Sequence, residues 1–406
     1  MLAPVAWAAG LLIFVGVVAC RWKFQQSKPT VNLEVWLQQQ RAIIDFSFAG
    51  HSSSTKEGKL LYRAQANHRL VSAFGIDNSL TTYSTDVHEK FVKLSSKLIN
   101  NSSRRWPELY LVAEGFLERN VENAAAERGQ IRLADCVRCL CLIVVLVDAY
   151  NINLEGISPD VFLTITREIN RQWLESKCDT DAPKSDLLAS SLRGLHLKKK
   201  LGAGVDISED TPEEALGFIM PQYETLWRVV LLTFVTAYHR QARTEDVRRG
   251  ESVPGCLGNP VKEKEALKLA KEGLRLFPSN KRIYRAACGD EKQLISADVE
   301  ASHRNSRVWG PNALKFRPER FDNLSKLQGK AYFPFSLSPN RCPAIAGFGN
   351  RMVTMLVVAL GTTLSPKTGK ILFNDELLDG NPEEPLPTGR DDMESWALLL
   401  RDASGS

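Results

Sequence analysis

Apolar residues recur at three- and four-residue intervals from about residue 85 to 240, through DVHEKFVKLSSKLI, ELYLVAEGFLERNVENAAAERG, IRLADCVRCLCLIVVLVDAY and PDVFLTITREINRQWLESK. That spacing lines one face of an α-helix. Strict two-residue alternation is scarce, so the expected fold class is mainly α with small β-sheets. Residues 24–57 mix short polar and apolar segments and end in AGHSSSTKEGK, a loop by composition. The stretch 241–260, QARTEDVRRGESVPGCLGNP, breaks the helical pattern and reads as a connecting loop. No internal repeat is present.

One helix carries more than periodicity. TPEEALGFIMPQYETLWRVVLLTFVTAYHR opens with Thr211 as N-cap, Pro212 at the first helical position, and Glu213 and Glu214 in the first turn. Pro221 then falls inside it, where it lacks an N–H and crowds the carbonyl of Gly217 four residues back. A kink is expected there, freeing that carbonyl for a hydroxyl or water. Glu224 and Thr225, an acid and an alcohol, follow at once; taken alone they also fit an ordinary surface pair.

The N-terminus differs in kind. Residues 2–19 are uncharged and mostly apolar, and Arg21, Trp22 and Lys23 follow them. Basic residues after the apolar run, rather than before it, fit a signal anchor with the rest of the chain on the cytosolic side. The expected organisation is a membrane anchor over residues 1–23 and a single catalytic domain over 24–406.

Composition narrows little further. The 406 residues are 44% hydrophobic and 24% charged, with a formal charge of +5, an ordinary globular balance. The short run His196–Lys200 is a solvated face rather than a nucleic-acid site. Of the eight cysteines, Cys136, Cys139 and Cys141 lie in the apolar helical stretch with no second pair or histidine nearby, so packing explains them better than zinc.

Cys342 is different. In YFPFSLSPNRCPAIAGFGNRM it follows Phe335 by seven residues and Pro339 by three, and precedes Pro343 and a small-residue helical run. A stiff loop at a helix start can hold a thiolate still, because backbone N–H groups there stabilise negative sulfur; a buried structural cysteine is the plainer reading. Upstream, KEGLRLFPSNKRIYR places Glu272 and Arg275 three apart on one helix face, with Pro278 ending the helix. FRPERF then gives the turn Pro318–Phe321.

In this order, anchor, kinked helix with acid and alcohol, Glu-x-x-Arg helix, Pro-Glu-Arg-Phe turn and Phe-(six residues)-Cys loop, the chain resembles the cytochrome P-450 superfamily of heme-thiolate monooxygenases. The resemblance is clear over roughly residues 210–365, and EGLRLFP, HRNSRVWGPNA and FRPERF look most like secondary-metabolism members from filamentous fungi. It implies the cytochrome P-450 fold, with heme between the long kinked helix and the Cys-loop helix. It also implies Cys342 as the thiolate iron ligand, Phe335 packed over the sulfur, Glu272 and Arg275 locked to Arg320, and Glu224 and Thr225 as proton carriers. The expected partners are O2, a hydrophobic small molecule, an NADPH-cytochrome reductase and the endoplasmic reticulum membrane, with no nucleic acid.

The chain departs from that pattern at several positions. Ser338, Asn340 and Ala344 replace the usual Gly, Arg or His, and Gly around the cysteine. Asn340 cannot neutralise a heme propionate, which leaves Arg285, Arg282 or the shifted Arg341 for that role. Pro221-Gln222 replaces the usual Ala-Gly before the acid and alcohol. No Trp-x-x-x-Arg helix is found, since Trp106 is followed four later by Tyr110, and residues 25–130 are short for this fold. A heme-thiolate isomerase, cyclase or peroxide-using enzyme, and a non-catalytic membrane-anchored homologue, are the alternatives these departures raise.

Overall fold

The computed structural model describes residues 32–53, 55–127, 129–200, 209–240, 260–288 and 290–401. The expected anchor (1–23) and most of the expected connecting loop (241–260) lie outside them. Among the described residues no helix is long and apolar enough to cross a membrane.

The helices used below are α1 (Leu33–Asp45), α2 (Lys56–Ala66), α3 (Thr85–Leu98), α4 (Arg105–Glu127), α5 (Leu133–Tyr150), α6 (Pro159–Cys178), α7 (Pro212–Tyr223), α8 (Trp227–Phe234), α9 (Pro260–Leu276) and α10 (Phe348–Thr363). The strands are few, as expected. β1 (Gln130–Arg132), β5 (Ala397–Leu400) and β4 (Gly369–Leu372) form an antiparallel sheet in that order, and β2 (Arg282–Ala287) pairs antiparallel with β3 (Asp290–Asp298).

All 18 residues of α5 are buried, with α4, α6, α7 and α8 packed around it. Cys136, Cys139 and Cys141 are therefore core residues. Burial pushes all three thiols up, Cys139 to about 12, and among the described residues no cluster could hold a metal ion.

The N-terminal region holds more helix than its composition announced. Asn32 caps α1 by accepting from Glu34 N, and Leu37, Gln40 and Ile44 form its buried stripe. Thr55 caps α2 by accepting from Gly58 N, so the end of the expected loop is the first turn of a helix.

The long central helix starts as its sequence announces. Thr211 and Glu214 form a reciprocal capping box with Pro212 in the first turn. Pro221 then breaks it in two: α7 ends at Tyr223, Glu224–Leu226 form a turn, and α8 resumes at Trp227 and widens into a π-helix over Val235–Arg240. Three carbonyls around the break are taken by side chains. Asn78 Nδ2 donates to Gly217 O at 2.7 Å, Gln222 Nε2 to Phe218 O at 3.2 Å, and Thr225 Oγ1 to Pro221 O at 2.7 Å. The Gly217 carbonyl expected to be free is thus occupied by Asn78, a residue 139 positions away in the sequence.

α8 packs on both α9 and α10. Gly273 of α9 is needed there, because a Cβ at that position would stand 2.2 Å from Thr233 Oγ1.

Candidate functional site

Glu272 and Arg275 are both wholly inaccessible to solvent and form a two-point ion pair, Nε–Oε2 and Nη2–Oε1 each 2.7 Å. Arg275 Nη1 also donates to His303 O (2.8 Å) and Ala313 O (2.7 Å). Arg320 Nε stands 3.4 Å from Glu272 Oε1, and the Arg317 N–H donates to the same oxygen at 2.9 Å. Burial alone would push the Glu272 carboxyl up, and these donors oppose it. The expected three-residue lock between α9 and the Pro318–Asp322 turn is therefore built, and it ties together segments far apart in sequence.

Beyond that turn the Cys loop follows. The Cys342 N–H donates to Phe335 O at 2.9 Å, which closes the loop, and Pro343–Ala346 form a short 3₁₀ turn leading into α10. The Phe335 ring lies over Gly349, where a Cβ would sit 2.6 Å from the ring. Phe335 thus closes the loop through its carbonyl and fixes it to the first turn of α10 through its ring. The Cys342 side chain remains accessible although protein crowds it on several sides. Crowding is the first influence on the thiol and pushes it up, while the Ala344 N–H on the sulfur and the charge of Arg63 pull it down.

Arg63 is the residue that sequence reasoning missed. It lies on α2, and burial brings it down to about 10. Arg285, on β2, is 5% exposed, and burial together with the neighbouring charge of Arg63 brings it down to about 9. Two close arginines would ordinarily be separated by an acid, yet neither forms an ion pair among the described residues. Arg285 donates to the carbonyls of Tyr284 (2.8 Å) and Ile44 (3.4 Å), stacks 4.5 Å over Phe46, and leaves Nε buried without a partner. Asn340 Nδ2 is likewise buried and unpartnered, whereas Arg341 is exposed. Trp106 is a core residue whose ring stands 5.6 Å from Phe348.

Glu224 and Thr225 sit in the turn between α7 and α8. Glu224 is 5% exposed, its Oε2 is bonded to Arg390 Nη2, and its Oε1 is buried with no partner. Thr225 is half-buried, with its hydroxyl donated to Pro221 O.

The fold matches a crystal structure of the cytochrome P-450 OleT in complex with arachidonic acid, with a TM-score of 0.53 and 12% identity over 86% of this chain and 88% of that one. In sequence, 198 residues are 30% identical to "Cytochrome P-450 72A552" of Barbarea vulgaris. In fold and over part of its sequence the chain is similar to cytochromes P-450. Two further relatives are a cytokinin hydroxylase of Arabidopsis thaliana, 23% identical over 264 residues (58% of this chain, 51% of that protein), and a 7-deoxyloganic acid hydroxylase of Catharanthus roseus, 27% identical over 222 residues (47% and 41%). The match to the Barbarea protein covers 44% of this chain and 38% of that protein's length. No profile of a known protein family matches.

The cofactor of this superfamily is heme held through a cysteine thiolate. The residues present suit it. Cys342 offers an accessible sulfur with an N–H aimed at it, and Arg63, Arg285 and Asn340 offer cationic and amide donors without acidic partners. Heme carries two carboxylates that need such donors.

Proposed function

We propose that this chain is a cytochrome P-450 monooxygenase that inserts one oxygen atom of O2 into a hydrophobic small molecule in secondary metabolism. Two electrons come from NADPH through a separate reductase, so that R–H, O2, NADPH and H⁺ give R–OH, H2O and NADP⁺. The observation that carries the reading is the Cys342 loop, whose accessible sulfur lies near an arginine pair that lacks an acid.

In this reading Cys342 holds the iron, and Arg63 and Arg285 take the heme carboxylates. When bound, the heme supplies the binding and activation of O2, which the thiolate promotes by donating electron density. Each residue of the chain then has a definite task. The Ala344 N–H and the Arg63 charge favour the anionic sulfur and partly offset the crowding that favours the thiol. The Phe335 carbonyl and ring hold the loop in place. Thr225 keeps its hydroxyl proton on Pro221 O and has lone pairs left to accept another. Glu224 has one oxygen fixed by Arg390 and the other buried without a partner, and it adjoins Thr225, so acid and alcohol are placed in sequence for proton hand-over.

The reduced protein in carbon monoxide tests this directly. Wild type and Cys139→Ala should give the thiolate-type difference spectrum and Cys342→Ala should not; a Cys342→Ala protein that keeps the spectrum would overturn the assignment. The tie between Glu224 and Arg390 favours a second reading, in which a heme-thiolate isomerase or cyclase needs no proton delivery. Product formed by wild type without NADPH would select it.

The same reading places the body on the cytosolic face of the endoplasmic reticulum, with residues 1–23 as anchor. Asn101 and Asn323 stand in N-x-S sequons. A glycosidase-sensitive gel shift lost in Asn101→Gln or Asn323→Gln would reverse that orientation.

A further inference from the structure

Arg69 in the short helix Arg69–Phe74, Arg228 in α8 and Arg390 stand near Glu224, and Lys177 at the end of α6 lies near all three arginines. The guanidinium groups of Arg69 and Arg390 stand 4.4 and 4.9 Å from the centre of the same indole, Trp173, and Arg390 lies 5.5 Å from Trp227. The cluster is short of anions. Among the described residues only Arg390 of the four is in an ion pair, with Glu224. Arg69 donates Nη1 to Ser176 Oγ at 2.6 Å and forms no ion pair among the described residues. Arg228 donates to Thr388 O (3.1 Å) and Ser279 O (2.7 Å), with Nε buried and unpartnered.

Other acids nearby are engaged elsewhere or stand outside. Glu300 pairs with Arg304 at 3.3 Å and accepts from Thr388 Oγ1 at 2.8 Å. Asp392 accepts the Gly389 N–H at 2.6 Å, and Asp391, which is exposed, acts on the equally exposed Lys177 but not on the arginines. Burial brings Arg69 and Arg228 down to about 10, so both remain charged at neutral pH. Lys177 is lowered first by burial and then by the charges of Arg390, Arg69 and Arg228. Crowding cations without a counter-charge is unfavourable, and an incoming anion that takes two-point hydrogen bonds from a guanidinium offsets it.

We propose that Arg69, Lys177 and Arg228, with Arg390 behind them, receive the carboxylate of the substrate, so that the molecule oxidised is an apolar acid. A singly charged group suits the site better than a phosphate, because the unpartnered oxygen of Glu224 lies beside it and repels additional negative charge. The partly exposed indole of Trp173 supplies apolar surface next to the charge. Glu224 adjoins Thr225 in the chain, so an acid anchored here lies close to the residue given the proton-carrying role. The inference rests on the monooxygenase reading and adds the substrate class to it.

Calorimetric titration of the heme-loaded full chain with dodecanoic acid and with its methyl ester is the test. The acid should bind at least about tenfold more tightly than the ester, the size expected when one charge-assisted hydrogen bond is lost. Arg69→Gln should bring the ratio close to one, and Lys177→Gln should lower it. The thiolate-type carbon monoxide spectrum, recorded on each protein, reports heme and folding separately, so a failed monooxygenase reading and a failed carboxylate site give different results. If Arg69→Gln loses that spectrum, Lys177→Gln decides. Equal binding of acid and ester by wild type, no binding of either, or an unchanged ratio in a folded variant would overturn the proposal. So would competition by inorganic sulfate equal to that of the acid, since it would mark an unspecific anion site.

Discussion

Asn78 donates its side-chain amide to the carbonyl of Gly217 across 2.7 Å, filling the place that an N–H at Pro221 would otherwise occupy. Asn78 is 1% exposed and its own carbonyl oxygen accepts from Leu80 N at 2.8 Å, so the amide is held on both sides. The proline break in the central helix is thus stabilised from outside that helix.

Asn78→Ala should therefore leave a buried carbonyl without a donor and lower stability by about 1–3 kcal/mol. Urea unfolding measures it. Pro221→Ala, which restores an N–H to the helix, should recover part of that loss in the double variant. Additive effects in the double-mutant cycle would show that the two sites are not coupled.

The arginine pair should respond to cofactor in opposite directions. With heme supplied, Arg63→Met and Arg285→Met should each retain less heme per chain, measured by absorbance against protein concentration. Without heme, the same variants should be no less stable than wild type, because each removes a crowded cation that has no acid. A loss of stability in the heme-free variants, with heme retention unchanged, would make both arginines merely structural.

Thr225→Val removes a hydroxyl while keeping shape. Heme binding and reduction should persist, while product formed per NADPH falls and peroxide rises. Thr225→Ser, which keeps the donor, should restore much of the coupling. Identical ratios in wild type and Thr225→Val would remove Thr225 from the mechanism.

His303 supplies a pH dependence with a definite sign. It is wholly buried, placing one ring nitrogen 3.3 Å from Leu274 O as donor and accepting the Phe333 N–H at 3.1 Å with the other, so it is neutral in the native state. Burial lowers it from 6.5 to about 3. The unfolded chain takes up the proton first, so the stability conferred is full above pH 6.5 and is lost as pH falls from there toward 3. The stability gap between wild type and His303→Asn, followed by urea unfolding, should narrow over that window; a constant gap would show that His303 does not titrate.

The sequence carried the central helix start, the Glu272–Arg275 lock and the Cys342 loop, because each depends on near neighbours in the chain. Arg63 escaped because an arginine was sought four residues after a tryptophan, and the residue four before Arg63 is Lys59. A different signal was available: Arg63 falls on the same stripe of α2 as the buried Leu60 and Ala64, and a charge on an apolar face asks for a partner. Helix α1 was hidden by Gln38, Gln39 and Gln40, which dilute its pattern, although Gln40 turns inward and accepts the Asp298 N–H at 2.7 Å. Asn78 could not be found locally, since its partner lies 139 residues away. The Glu224–Arg390 pair, 166 residues apart, was hidden for the same reason.

Helix α5 has no face of its own to show to water, and part of its cover is made late. The Leu133 N–H at its start donates to Trp396 O at 3.0 Å, and β1 just before it finds its partner in β5. During synthesis a ribosome exposes this greasy rod, complete at Tyr150, long before the partner strand at Ala397–Leu400 exists. The nascent chain must therefore shelter it provisionally, in an incomplete core or in the hands of a chaperone, and a stop codon shortly before Trp396 would leave that shelter permanently unfinished.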